Sequence, residues 1–191
     1  LNHVPLICEN VEIGIGGDTI DLILLGNDTG EGGQGGTSEF TNLQIRNLTI
    51  GTFTTLHLQE SSSMSILGNG VIENNGIFNV SGYINIRDQN NTSNTAFLNN
   101  GTFKTIGFGG ISIQEIGDYG INNSSTGIIE FDGYSSIDAF NSDLAKGGIL
   151  NEGTINIHGN FSIYGIFSEE EVRNENGGIL EVKDGGVLSV Y

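Results

Sequence analysis

The side chains that could do chemistry are few and scattered. Asp132, Asp138 and Asp143 fall within one short stretch, so two of them could approach each other and divide the roles of acid and base that hydrolysis requires. Solvated turn positions are the simpler expectation for all three. His3, His57 and His158 are far apart and do not form a metal-ligand cluster. Cys8 is the single cysteine and has no histidine at a telling spacing, so it is expected either as a buried hydrophobe or as a thiol that pairs with another chain. The Gly-rich run GEGGQGG lacks the Lys-Ser/Thr ending of a phosphate loop.

One metal pattern can be weighed. From Gly16, GGDTIDLIL fits the calcium-binding phrase Gly-Gly-x-Gly-x-Asp-x-apolar-x except at Thr19, and GNDTGEGG follows at Gly26. Asp18, Asp21 and Asp28 are therefore the calcium candidates. Against them stands ordinary cap and turn chemistry, since the ten-residue offset from Gly16 to Gly26 does not let the two phrases stack in register. No other cofactor is implied.

Charge narrows the partners. Six Lys and Arg against 23 Asp and Glu leave a net charge of −17, which repels nucleic acid and anionic lipid. No run of 18 apolar residues is present, so no helical membrane span is expected. With 31 Gly, one Pro, no Trp and 15% charged residues in 191 positions, the composition describes frequent turns and argues against a helical protein. The first residue, Leu1, suggests a processed or excised chain.

The glycines mark what holds these side chains. GTFTTL at Gly51, GIFNVSG at Gly76, GTFKTIG at Gly101, GIIEFDG at Gly127, GTINIHG at Gly153 and GILEVKDG at Gly178 recur every 25 or 26 residues. The second residue after each glycine is Phe53, Phe78, Phe103, Ile129, Ile155 or Leu180, and the fourth is Thr55, Val80, Thr105, Phe131, Ile157 or Val182. Between them stand Thr54, Asn79, Lys104, Glu130, Asn156 and Glu181. This alternation is that of a half-buried strand, with the first two columns inward. A second strand is expected behind Gly82, Gly107, Gly133 and Gly159, and a third, less regular segment closes each period.

A unit of this length cannot bury its own apolar face, but stacked copies at about 4.8 Å build one continuous core. The fold class expected is therefore all-β: a single-domain parallel β-solenoid with coils of about 25 residues, roughly seven in all. Residues 40–191 supply the repeats. Residues 1–39 read as an N-terminal cap or first coil followed by a Gly-rich loop. The pairs Asn74-Asn75 and Asn99-Asn100, with Asn151 and Asn176, suit the turns, and stacked amides can also bond one another along the axis.

These columns resemble the right-handed parallel β-helix repeats of bacterial surface and adhesin proteins and of the pectin-lyase-like superfamily. The resemblance implies two routes to activity: paired Asp for hydrolysis, or Arg, Lys and calcium-binding Asp for elimination. The basic half is missing here, because Arg46, Arg87, Arg173, Lys104, Lys146 and Lys183 are dispersed. An enzyme is not expected.

Binding features remain. Asn27, Asn47, Asn79, Asn90, Asn91, Asn100, Asn122, Asn123 and Asn160 each begin Asn-x-Ser/Thr and would mark surface acceptors if the chain meets a glycosylation system. Composition alone also generates such triplets. Tyr83, Phe108 and Tyr134 share a column in this register and form a candidate sugar-stacking ladder, with inward packing the commoner fate of such a stack. Thr52, Thr102 and Thr154 share another, but Ile77, Ile128 and Ile179 interrupt it and break the flat threonine array that ice binding would need.

The reading that results is an extracellular or cell-surface structural protein: a solenoid subunit of a filament, stalk or adhesin. It is expected to self-associate head to tail through open end coils or to meet a surface ligand. A carbohydrate-binding or polysaccharide-active module is the alternative.

Overall fold

An apolar-x-apolar strand can bury only one side of itself, so the strands above and below must complete the burial. The computed structural model describes residues 7–14, 20–24, 41–60, 62–87, 95–114, 117–138, 145–165 and 170–191, and no helix occurs among them. The chain enters with β1 (Ile7–Ile13), β2 (Ile20–Leu24) and β3 (Thr41–Ile50). Five complete three-strand coils follow. These are β4 (Thr54–Leu58), β5 (Ser62–Leu67) and β6 (Ile72–Asn74); β7 (Ile77–Val80), β8 (Tyr83–Arg87) and β9 (Phe97–Asn99); β10 (Thr102–Thr105), β11 (Gly110–Gln114) and β12 (Tyr119–Asn123); β13 (Ile128–Phe131), β14 (Tyr134–Asp138) and β15 (Gly147–Asn151); and β16 (Thr154–Ile157), β17 (Asn160–Tyr164) and β18 (Val172–Asn174). A partial coil, β19 (Ile179–Val182) and β20 (Val187–Val190), ends the series.

The first strand of every coil, with β2 and β19, forms a seven-stranded parallel sheet, here the first face. The second strands stack as the second face and the third strands as the third face. Both of these start on β3, whose early residues pair with β5 and whose late residues pair with β6, while β1 lies along its other edge. The alternating runs of residues 1–39 thus contribute β1 and β2 as a partial first coil, and the Gly-rich loop lies outside the described residues. Five complete coils, rather than roughly seven, follow from the partial coils at both ends.

The core runs the length of the stack. Phe78, Phe103 and Phe131 occupy successive rungs of the first face, and Phe97 and Phe161 reach in from the third and second. Phe103 meets Phe78 and Phe97 edge-on at centroid distances of 5.7 and 4.8 Å, and Phe131 stacks on Phe161 at 4.5 Å. Ile84, Ile86, Ile111, Ile113, Ile137 and Ile163 fill the inward columns of the second face with no more than 1% exposure.

Beside this apolar core runs a buried amide column. Asn74, Asn99, Asn123 and Asn151 are fully buried, and each Nδ2 donates to the Oδ1 of the next, ending on Asn174, at 2.8 Å per step. The axial amide bonding expected from the Asn pairs is present, but the first Asn of each pair faces inward, leaving the second at the turn. Asn174, not Asn176, ends the column; Asn176 sits in the following turn at φ 49°. The glycines after the column are needed for packing: a Cβ at Gly101 would lie 2.1 Å from the Gly76 carbonyl oxygen.

Two register expectations are corrected. Phe53 and Thr55 do not face inward: Phe53 is 59% exposed, and Thr54, Leu56 and Leu58 take the buried positions. A tight turn closed by Thr54 N–H donating to Gly51 C=O at 3.0 Å inserts residues there. Thr54 then stands where later coils have glycine, and its Oγ1 donates to the Ile13 carbonyl. Likewise Gly107 does not open its second strand. It lies at φ 61° inside a turn closed by Gly109 N–H donating to Ile106 C=O, so Gly109 is the counterpart of Gly82 and Gly133.

Candidate functional site

Outside the core, the described residues of the rod line up in columns. On the first face Thr55, Ile77, Thr102, Ile128, Thr154 and Ile179 form one outward column, so Thr55 replaces Thr52 in the threonine array and isoleucine still interrupts it. Beside it run His57, Asn79, Lys104, Glu130, Asn156 and Glu181. Lys104 reaches Glu130 at 2.7 Å and Asp132 at 3.4 Å. The hydrogen bond to Glu130 and the two neighbouring carboxylates hold the Lys104 ammonium pKa above its ordinary value. The arrangement is a charge tie between rungs, without a free base or nucleophile.

On the second face the outward residues form three columns. Ser63, Tyr83, Gly110, Tyr134, Asn160 and Val187 make one. Ser65, Asn85, Ser112, Ser136, Ser162 and Ser189 make the middle one, and Leu67, Arg87, Gln114, Asp138 and Tyr164 the third. Arg87 donates to Gln114 Oε1 at 2.7 and 3.1 Å, and Tyr164 stacks on Tyr191 at 5.0 Å. The serine column was missed in the sequence. Its signal is a small polar residue three places after the glycine that precedes the second strand, visible only when those glycines are taken as Gly82, Gly109, Gly133 and Gly159.

Tyr83 and Tyr134 are 43% and 62% exposed, and Phe108 is 87% exposed. The inward fate is thus excluded for all three rings. Phe108 does not share their column, because the turn at Ile106–Gly109 carries it ahead of the strand and puts Gly110 between the two tyrosines.

The remaining candidates do not converge. Asp132 is tied to Lys104, Asp138 ends β14, and Asp143 lies outside the described residues. Asp18 and Asp28 also lie outside them, while Asp21 is placed by its backbone opposite Thr55 in β4. Among the described residues no three His, Cys, Asp or Glu side chains gather as metal ligands, and no helix is long and apolar enough to cross a membrane. His57 lies in β4, and His158 follows β16, four rungs on. Cys8 belongs to β1.

The sequons divide by burial. Asn123 is fully buried in the amide column and donates to Asn151, so a glycan there and the column exclude each other. Asn47 bonds Asn10 Oδ1 and the Val71 N–H. Asn79, Asn122 and Asn160 are half-buried, and Asn100 is exposed. Asn27, Asn90 and Asn91 lie outside the described residues.

No family model, curated protein or solved structure matches the chain.

Proposed function

We propose that the chain is a structural rod displayed outside the cell, extended end to end by further coils of its own kind as a filament, stalk or adhesin segment. One observation carries this reading: the final rung exposes the side chains that are core everywhere else. Val182 and Val190 occupy inward columns yet are 47% and 48% exposed, whereas their column mates Val80, Ile157, Ile113 and Ile163 are fully buried. Leu180 and Leu188 are likewise only half-buried. A parallel rung also leaves one row of backbone donors and acceptors for the next strand. The occupant that fits both features is another β-coil, the same interface already repeated through the molecule. A stiff rod of constant section can hold a position at a distance, which requires no catalysis.

Electron microscopy of the native protein tests this. Fibres with a subunit repeat of about 34 Å, seven rungs at about 4.8 Å, are the expected result. Because every copy carries −17, assembly should strengthen with salt. Short separate rods at every salt concentration would reject extension by a second copy.

A further inference from the structure

We propose that the second face binds a neutral, extended polysaccharide lying along the rod axis. The first observation is charge. Among the described residues of its three columns only Arg87 and Asp138 are charged at neutral pH, and their charges are opposite, although the whole chain carries −17. A polyanion approaching this face would still be repelled by the rest of the molecule, whereas an uncharged polymer would not.

The second observation is the chemistry across the face. Its middle column is small and polar, and the contacts made by the half-buried Ser136 and the buried Ser112 are long: Ser136 Oγ to Ser112 Oγ is 3.5 Å and Gln114 Nε2 to Ser112 Oγ is 3.4 Å. Both exceed the roughly 2.7–3.0 Å of a well-formed bond. Along one flank stand the exposed side chains of Tyr83 and Tyr134, whose backbones are two rungs, or about 9.6 Å, apart. A Cβ at Gly110, between them, would lie 1.8 Å from the Tyr134 carbonyl oxygen and 3.5 Å from the Tyr83 ring, so only glycine fits there.

Rings on a flank and hydroxyls on a floor match the two sides of a pyranose, whose C–H face stacks on an aromatic and whose hydroxyl rim takes hydrogen bonds. The repetition along the axis suits a polymer better than a single sugar. A second copy of this chain fits less well, because lateral protein interfaces centre on a desolvated apolar patch and the centre of this face is serine.

The test is electrophoresis of the intact protein through native gels containing xylan, hydroxyethyl cellulose or galactomannan, with polygalacturonate and polymer-free gels beside them. Retardation in at least one neutral gel is expected, weakened by roughly tenfold in Tyr83→Ala/Tyr134→Ala as two stacked rings are lost. Ser136→Lys, which fills the floor without touching the core, should weaken it as well. Circular dichroism confirms that each variant is folded, and either suffices. No retardation in any neutral gel, retardation by polygalacturonate alone, or unchanged retardation in both variants would overturn the proposal. So would sedimentation showing wild-type dimers that the tyrosine substitutions dissociate, without glycan binding; the face would then belong to a second copy.

Discussion

The coils between Ile77 and Ile163 and the last rung, from Ile179 to Val190, carry the same column chemistry and reach different degrees of burial. In the middle, Phe103 has a rung on either side and is completely buried. At the end, Leu180 has Ile155 on one side and no described strand on the other. A column residue is therefore completely buried only with a rung on either side, and sequence identity alone does not decide how much a position stabilises the fold.

The largest expected effect lies in the middle. Phe103→Ala should cost about 3–5 kcal/mol by denaturant unfolding, because a fully buried ring leaves a cavity that a stacked sheet cannot close. A loss no greater than that of Leu180→Ala would break the comparison. Asn99→Ala comes next, at about 2–3 kcal/mol, since it strands the Asn74 donor and the Asn123 acceptor away from water. The same change at Asn174, exposed and bonded on one side only, should cost less than about 1 kcal/mol. Leu180→Ala should cost about 1–1.5 kcal/mol when the rod is alone. If copies stack end to end, that cost should rise with protein concentration, which would sharpen the comparison into a test of assembly.

The smallest effect belongs to the surface. Lys104→Met should change stability by up to about 1 kcal/mol, as expected for a half-exposed pair. Its pKa is raised on folding, so the ion pair contributes below the ordinary lysine value of 10.5 and is lost as pH climbs through the raised value. Unfolding midpoints of wild type and variant should therefore differ at neutral pH and converge in strong alkali. A difference that persists there would assign the effect to the lysine stem.

Much of this was legible in the sequence. The period, the three strands per coil and the inward columns from Phe78 onward follow from alternation and the spacing of glycines, because only glycine fits against the carbonyl of the rung before. Legibility failed where two glycines compete. Near Gly51 and Gly107 a tight turn adds residues between the repeat glycine and the strand, and periodicity does not say which side of the turn the strand begins. Those errors put Phe53 in the core and Phe108 in the tyrosine column, and they hid the serines. Asn74 and Asn75 were indistinguishable for another reason: both tolerate turns, and which one faces inward depends on the amide of the next coil.

The buried amide column gives the rod a direction. Each Nδ2 also donates to a backbone carbonyl, from Asn74 to Thr102, Asn99 to Ile128, Asn123 to Thr154 and Asn151 to Ile179, so no amide can turn over without losing that bond. The chain of donors is therefore vectorial, and successive bonds polarise one another in the same sense. Two such rods can continue the column only when they point the same way, so a fibre made of them would have a distinguishable front and back, and growth could differ at its two tips.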